Sequence, residues 1–154
     1  MCTNSFKLEI EITDERLDPE DIGYKTEGAA AIDLYALPNE YMHDNLIVQN
    51  RSARFSTGIK VAIPKGYVGI IVPRSSAGMN GYILQNTVGV IDSDYRGEIQ
   101  MCLSKNNAEY EYLTVKKRIA QMMIVPCPQF KIDFVKSLSK TERGENGFGS
   151  TGKD

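Results

Sequence analysis

The stretch Ile59-Lys-Val-Ala-Ile-Pro-Lys-Gly-Tyr-Val-Gly-Ile-Ile-Val-Pro73 contains the pattern that recurs along this chain. Two short runs rich in β-branched residues, 59–63 and 67–72, lie on either side of a Pro-Lys-Gly turn signal. Pro73 ends the second run, because proline cannot continue the hydrogen-bonded ladder of a central strand. The segment therefore predicts two short strands joined by a turn.

The same kind of run appears at close, fairly regular spacing through the rest of the chain. In residues 6–12, apolar and charged residues alternate, which predicts a strand with one buried face. Further β-rich runs lie at residues 31–35, 46–48, 88–91, 99–103, 110–115, 122–125 and 130–135. No segment shows a sustained helical stripe, and only residues 76–79 suit one short helical turn. Many short strands predict an all-β fold, a sandwich or a jelly roll.

Length and charge limit the classes of function. At 154 residues the chain suits one domain with a sizeable core. Its formal net charge is −2, so no overall field attracts nucleic acid or anionic membranes, and local arginines and amides must bind any polyanion. No apolar run approaches the ~20 residues that span a bilayer, and the first residues lack a signal-peptide pattern. We expect an intracellular, cytoplasmic protein that binds neither nucleic acid nor membranes.

Cysteine and histidine usage predicts no zinc site. Cys2, Cys102 and Cys127 are odd in number and widely spaced, and His43 is the single histidine. This usage is typical of reduced thiols in an intracellular protein.

The segment Arg143-Gly-Glu-Asn-Gly-Phe-Gly-Ser-Thr-Gly152 carries groups suited to both ends of a nucleotide. It holds four of the thirteen glycines, which let backbone N–H groups come close to an anion. Arg143, Ser150 and Thr151 suit phosphate, and Phe148 offers a flat face for a base. The alternative is a flexible, solvated end.

Two internal segments suggest a phosphate cradle and a general base. In Val72-Pro-Arg-Ser-Ser-Ala-Gly78, an arginine, two hydroxyls and free amides follow a buried strand, although a plain serine-rich turn has the same pattern. Gly89-Val-Ile-Asp-Ser-Asp-Tyr-Arg-Gly97 predicts the tip of a β-hairpin. Asp92 directly follows two apolar residues, so its carboxylate must be hydrated or hydrogen-bonded, as in a general base that holds a water. The alternative is an aspartate-capped turn.

Two further clusters place polar residues beside apolar strands. Arg118-Ile-Ala-Gln121 precedes the predicted strand at 122–125, and its glutamine suits either a solvated edge or a site. In Ala30-Ala-Ile-Asp-Leu-Tyr-Ala36, Asp33 interrupts an apolar strand. A buried aspartate needs partners, so Asp33 is either a structural hydrogen-bonding hub or part of a site.

These five clusters, in this order, resemble the five motifs of the trimeric deoxyuridine triphosphate nucleotidohydrolases (dUTPases). The resemblance runs from about residue 27 to residue 152, and the segments 73–76, 89–97 and 143–152 carry it most specifically. Only the first motif departs, since the family usually has glycine where Ala31 stands. The resemblance implies a jelly-roll domain over residues 1–140 and a flexible carboxy-terminal lid over 141–154. It also implies a homotrimer in which two chains form each site and the tail of the third closes it.

The resemblance further implies hydrolysis of dUTP to dUMP and pyrophosphate, which supplies dUMP and keeps uracil out of DNA. The catalytic residues would be Asp92, which activates the water that attacks the α-phosphorus, Gln121 near the α-phosphate, and Arg143 at the γ end. Tyr95 would pack flat against the deoxyribose and leave no room for a 2′-hydroxyl. The remaining substrate contacts would come from Arg74, Ser75, Ser76, Asn86, Gly89, Val90, Ile91, Phe148, Gly149, Ser150 and Thr151.

A magnesium ion is expected on the triphosphate, with water filling its other positions and no direct protein ligand. Asp33 is a candidate for supporting that hydrated ion through water. Two alternatives remain open. A dCTP deaminase has a related fold, but that group favours Gly-Phe-Glu-Gly where this chain has Asp94-Tyr-Arg-Gly97. A non-catalytic member could use the pocket as a nucleotide-gated surface for a regulatory protein partner.

Overall fold

The structure, a computed structural model, describes residues 7–40, 45–48, 52–106 and 110–145. Two short helical segments lie in these ranges, a 3₁₀ turn at Pro19–Asp21 and the helix α1 at Ser75–Met79. The strands are β1 (Glu9–Ile12), β2 (Ile32–Ala36), β3 (Leu46–Val48), β4 (Ala53–Ser56), β5 (Ile59–Ala62), β6 (Tyr67–Pro73), β7 (Tyr82–Leu84), β8 (Gly89–Ile91), β9 (Gln100–Lys105), β10 (Tyr110–Tyr112) and β11 (Lys117–Pro126). Within the described ranges, no helix is long and apolar enough to cross a membrane.

The strands form four antiparallel sheets around one core. The largest sheet has the order β2-β11-β6-β8 and the next has the order β4-β9-β7, while β1 pairs with β5 and β10 with β3. Side chains from both larger sheets, such as Leu34 and Met122 from one and Phe55 and Leu103 from the other, are fully buried in a single apolar cluster. The predicted all-β sandwich is therefore confirmed.

Successive side chains of a strand point to opposite faces of the sheet, and this decides which of them enter the core. In β5, Ile59 and Val61 are buried while Lys60 reaches solvent and pairs with Glu11 at 3.0 Å. The buried Thr57 hydroxyl donates a 2.8 Å hydrogen bond to the Ile99 carbonyl, which satisfies its polar group in the apolar interior. Among the described residues, no buried side-chain nitrogen or oxygen lacks a hydrogen-bond partner.

Most of the predicted strands are present in the structure, and the structure has two further strands that the sequence did not predict. Strands β4 and β7 were missed because β4 buries only one large side chain, Phe55, and β7 is three residues long. The strand predicted at 130–135 is wrong for the single chain, because this segment pairs with no described strand and its side chains are exposed.

The predicted hairpin at 89–97 is also wrong. Strand β8 pairs with β6, whereas β9 pairs with β4 and β7, so residues 92–99 cross between two sheets. The turn at 85–88 likewise connects strands of different sheets. Asp92 therefore lies in a crossover between sheets and not at the tip of an isolated ribbon.

Gly58 allows the turn between β4 and β5 to pack against the core. Its φ is +70°, and an added Cβ would lie 2.7 Å from the Cδ1 atoms of both Leu17 and Leu37. Gly66 shares the left-handed conformation, with φ of +87°, but an added Cβ there meets nothing within 4 Å. Alanine at either position would therefore strain the backbone, but only alanine at position 58 would also overpack the core.

We expect Gly58→Ala to lower the free energy of unfolding by about 2–4 kcal/mol, the sum of left-handed strain and overpacking. The matched control Gly66→Ala is expected to cost about 1–2 kcal/mol, because only the backbone term applies. Urea unfolding followed by circular dichroism measures both. Equal losses for the two variants would contradict the packing role of Gly58.

Candidate functional site

Strand register brings three of the polar residues singled out in the sequence onto one face of the largest sheet. Gln121 in β11 is the cross-strand partner of Asp33 in β2 and of Val72 in β6. Direct cross-strand partners project to the same face, and Arg74 follows Val72 by two residues. Asp33, Arg74 and Gln121 therefore lie together at the end of β6.

The Asp33 carboxylate is 8% exposed and holds two arginines. Its Oδ1 lies 2.8 Å from Arg74 Nε, and its Oδ2 accepts a 3.1 Å hydrogen bond from Arg118 Nη1. A carboxylate at this depth requires partners, and here one negative charge is shared by two guanidinium groups. Asp33 is thus the hydrogen-bonding hub that the sequence left as one of two alternatives.

An irregularity in β11 places Arg118 in this cluster. Arg118 and Gln121 are three residues apart and would project to opposite faces of a regular strand. The register with β2 shifts between Arg118 and Ala120, so that Ile119 and Ala120 are both buried and Arg118 faces the same side as Gln121. The sequence segment 118–121 lies inside a central strand, which corrects the prediction that it precedes the strand.

The two serines of the predicted cradle begin helix α1. Ser75 and Ser76 are exposed and follow Arg74, whose extended backbone ends β6. Gln121 Nε2 lies 3.3 Å from the carbonyl oxygen of Pro73, which holds the glutamine amide beside this junction. Arginine, hydroxyl and amide donors thus converge at one end of β6, as binding of a phosphate requires. We call these residues, Arg74, Ser75, Ser76 and Gln121, the cradle.

The second group of predicted site residues lies on the segment 85–97. Thr87 has φ of +61°, Val90 is 61% exposed, and Asn86 is exposed as well. A Cβ on Gly89 would lie 3.0 Å from Ile71 Cβ, so glycine lets this segment press against β6. The result is a surface that combines an apolar side chain with amide groups, which suits a flat heterocycle.

Two neighbours fix the orientation of the Tyr95 ring. Its hydroxyl donates a 3.0 Å hydrogen bond to the Glu98 carbonyl oxygen. The ring occupies the space beside Gly97, where an added Cβ would lie 2.6 Å from Tyr95 Cζ. The Glu98 carboxylate accepts hydrogen bonds from the Ser56 hydroxyl and from the Gly58 N–H, the latter at 2.9 Å, so the crossover is tied to the core.

The exposed Asp92 and the cradle lie at opposite ends of β6. Asp92 follows Ile91, which pairs with Gly69, and Arg74 lies five residues beyond Gly69. At about 3.3 Å per residue, the two sites are separated by roughly 17 Å along the strand. They also open onto different cavities, one of about 840 Å³ beside Asp92 and one of about 350 Å³ beside Arg74.

The described residues after Pro126 differ from the rest of the chain in their exposure. Residues 127–145 are exposed and form no strand. Arg143 lies in this segment, far along the chain from both groups of site residues. Phe148, Gly149, Ser150 and Thr151 lie outside the described residues.

A second charged cluster, not singled out in the sequence, lies beside the cradle. Glu111 accepts hydrogen bonds from Lys105, from Lys117 at 2.5 Å and from the Tyr82 hydroxyl at 2.6 Å. Burial acts to raise the Glu111 pKa, but the hydrogen bonds from the two lysines and the tyrosine outweigh it and lower the pKa to about 2. The two lysines are twelve residues apart in sequence, and no local pattern links them.

The low pKa of Glu111 predicts a loss of stability in acid. Because the folded-state pKa is about 2 and the unfolded value is about 4.3, the contribution is complete above pH 4–5 and disappears as the pH falls towards 2. We expect Glu111→Gln to lower the free energy of unfolding by about 1 kcal/mol at pH 7, allowing for partial exposure to solvent. The difference between variant and wild type should shrink towards pH 2 in urea titrations. A difference independent of pH would contradict the assignment.

Comparison with known proteins gives concordant results. The family model described as dUTPase matches residues 18–152. The deoxyuridine 5′-triphosphate nucleotidohydrolase of Escherichia phage T5 is 42% identical over 132 residues, covering 82% of this chain and 88% of that protein. The protein of the same name from Paraburkholderia xenovorans is 36% identical over 149 residues, covering 96% of this chain and 99% of that protein.

Solved structures show the same fold. A mutant dUTPase of Staphylococcus bacteriophage 80alpha, solved with dUpNHpp, superposes with a TM-score of 0.76 at 22% identity and covers 96% of this chain and 99% of that chain. A mutant dUTPase of phage phi11 of S. aureus, described as revealing the coordination of a structural Mg(II) ion, superposes with a TM-score of 0.68 at 18% identity and covers 86% and 98% of the two chains.

Proposed function

Since this chain belongs to the dUTPase family, we propose that it hydrolyses dUTP to dUMP and pyrophosphate in active sites formed between copies of the chain. The relatives described above carry the nucleotidohydrolase name, which favours chemistry at phosphate over deamination of the base. The jelly-roll fold of this family agrees with the sandwich observed. The enzyme is a dUTP diphosphatase of nucleotide metabolism.

The separation of Asp92 from the cradle carries the proposal of a shared site. A water attacking the α-phosphorus must touch both the general base and the phosphate, at hydrogen-bonding distance from each. The roughly 17 Å of β6 between Asp92 and Arg74 prevents this within one chain. A second copy that brings its 85–97 segment to the cradle completes the site, and a cyclic homotrimer repeats this contact three times.

The exposed surface of residues 127–145 supports an assembly of copies. Several large apolar side chains are largely exposed here, with Phe134 at 93%, and the others are Phe130, Ile132, Val135 and Leu138. Contiguous exposed apolar surface is typical of a protein interface. Another copy of the chain is the partner that also supplies the missing half of the site. We propose a homotrimer in which residues 141–154 act as a flexible lid over a neighbouring site, beyond a domain of residues 1–140.

In this site Asp92 orients and activates the attacking water. Asp92 is exposed at a crossover between sheets, so a water molecule can reach its carboxylate. Arg74, Ser75 and Ser76 bind the phosphates, with Arg74 aimed by its ion pair to Asp33, and Gln121 lies near the α-phosphate. Donors fixed before the reaction stabilise the charge that develops on the phosphate oxygens.

The lid supplies the remaining contacts. Arg143 would bind the γ end together with the serine and threonine of the tail, and the tail phenylalanine would stack on the base. These residues are Phe148, Gly149, Ser150 and Thr151. Closing the lid would exclude bulk water, which strengthens the electrostatic contacts inside the site.

The Asp33 carboxylate fits a role in holding a water of a magnesium ion that the triphosphate would carry. In the described ranges, no three histidine, cysteine or acidic side chains lie close enough to hold a metal ion. Asp33 already accepts from Arg74 and Arg118, yet a carboxylate has about four lone-pair sites and can also accept from a water. Magnesium, when bound to the triphosphate, would neutralise part of its charge. The protein residues would hold its water and the phosphate oxygens.

Asp92→Asn tests the general base. We expect this variant to bind a non-hydrolysable dUTP analogue as wild type does, while kcat falls by about 10²–10⁴. The amide preserves size and hydration but cannot take a proton from water. Pyrophosphate release and calorimetric binding measure the two quantities. A near-normal kcat would remove Asp92 from this role.

Mixing two inactive variants tests whether the site is shared. Asp92→Asn and Arg74→Ala each remove one half of the site, and random co-assembly at equal amounts restores about one quarter of the sites if the halves come from different chains. A site within one chain would regain nothing, because every chain carries a lesion. Pyrophosphate release from the co-refolded mixture, compared with each variant refolded alone, decides between the two.

Gly97 provides a test of sugar selection by Tyr95. Gly97→Ala would force the Tyr95 ring aside, since the new Cβ overlaps it, and the ring is proposed to exclude the 2′-hydroxyl. We expect the preference for dUTP over UTP, as a ratio of kcat/KM, to fall by roughly tenfold. Gly28→Ala is the matched control, because a Cβ there meets nothing within 4 Å. An unchanged ratio with intact turnover would separate Tyr95 from sugar selection.

A further inference from the structure

A basic pocket of about 350 Å³ adjoins the cradle. Two arginines and two lysines line it from β9, β11 and the residue after β6, and helix α1 contributes Ser76 and Ala77 to the lining. The lining residues that carry the argument are Arg74, Ser76, Lys105, Glu111, Lys117 and Arg118. Since Arg74 and Ser76 belong to the cradle as well, the pocket continues directly from the proposed phosphate site.

The charges around the basic pocket do not balance. Asp33 is shared by Arg74 and Arg118, and Glu111 is shared by Lys105 and Lys117. Four positive and two negative groups leave a local charge of +2, in a chain whose net charge is −2. Cations gathered in a partly enclosed space repel one another, and an anion of two or more negative charges removes that cost.

Aromatic and hydrogen-bonding contacts hold the two lysines at the pocket. The Nζ atoms of Lys105 and Lys117 lie 5.0 and 5.5 Å from the centre of the Tyr82 ring, and Lys117 also donates to the Tyr82 hydroxyl at 2.9 Å. The Lys105 side chain is only 15% exposed. Two ammonium groups carry six N–H donors, of which Glu111 and Tyr82 take a part. The donors are fixed before a ligand arrives, which lowers the entropic cost of binding.

We propose that the basic pocket is a binding site for a diphosphate group, in which Lys105 and Lys117 extend the cradle. The inference rests on the proposed function for its biological ligand. That ligand is either the β,γ-diphosphate of bound dUTP or the pyrophosphate released from it, and both present the same chemistry. The pocket volume and a charge of +2 suit a small dianionic or trianionic group more than an extended polymer.

Inorganic pyrophosphate is the probe that tests the pocket. Its Kd is measured by calorimetry on the full chain without nucleotide, and its Ki and the KM for dUTP are measured in the hydrolysis assay. In the double variant Lys105→Gln, Lys117→Gln, both amides can still donate to Glu111 while the pocket loses both lysine charges. We expect pyrophosphate to bind at least about tenfold more weakly, as expected for the loss of a charged hydrogen bond.

Two further variants keep the proposal falsifiable if the double variant folds poorly. Glu111→Gln raises the local charge from +2 to +3 and should tighten pyrophosphate binding several-fold at pH 7, the opposite of any effect of lost stability. Lys116→Met is the matched control, because this neighbouring lysine pairs with Asp21 at 2.8 Å outside the pocket. It should leave Kd, Ki and KM unchanged.

The outcomes distinguish the two sources of the diphosphate. A rise in Ki together with KM assigns the pocket to the β,γ-diphosphate of dUTP, whereas a rise in Ki alone assigns it to released pyrophosphate. Unchanged pyrophosphate binding in both Lys105→Gln, Lys117→Gln and Glu111→Gln would overturn the proposal. If the chain binds pyrophosphate in this pocket but does not hydrolyse dUTP, the proposal for the pocket stands and the proposed function is refuted.

Discussion

The buried Asp33 carboxylate is the constraint on which the rest of the site depends. It lies at the centre of an apolar strand, and its charge is tolerable only because arginines from two other segments reach it. Arg74 must therefore follow β6 within reach of β2 across the intervening strand β11. Arg118 must lie on the same face of β11 as Gln121, although the two residues are three positions apart. The irregularity at Ile119 satisfies that requirement while it buries two consecutive apolar side chains. The ion pair with Asp33 thus orients Arg74, the one charged donor of the cradle.

The topology that builds the cradle also keeps Asp92, the proposed general base, away from it. Strand β6 carries Arg74 at one end, while its partner β8 leads to Asp92 near the other end. Antiparallel neighbours in one sheet cannot bring these ends together, because a strand is rigid over its length. This separation is the reason for proposing a second copy at each site, and the apolar side chains exposed at 130–138 offer surface for such an assembly. The proposal of an oligomer thus rests on the geometry of one sheet.

Sequence patterns predicted those parts of the fold in which local alternation and burial agree. The runs at 59–63 and 67–72 became β5 and β6 because each has several β-branched residues and a strong turn between them. Strand β4 was missed because one phenylalanine among small and charged residues gives no period. The run at 130–135 alternates in the same way but pairs with no strand among the described residues, because alternation does not specify the strand that would pair with it. The motifs identified Asp33, Arg74 and Gln121, whereas the place of Arg118 depended on a register shift that no local pattern encodes.

The basic pocket shows why composition alone could not locate the binding surface. A net charge of −2 describes the field far from the protein, but a triphosphate responds to groups within a Debye length of about 8–10 Å. Lys105 and Lys117 come from strands of different sheets and meet only through Glu111 and the Tyr82 ring. Each of the two carboxylates pairs with two cations, which leaves a net positive charge where a polyanion would bind. When no polyanion is bound, the carboxylates still provide hydrogen-bond partners for the cations. A net negative charge is therefore compatible with a local site for a highly charged anion.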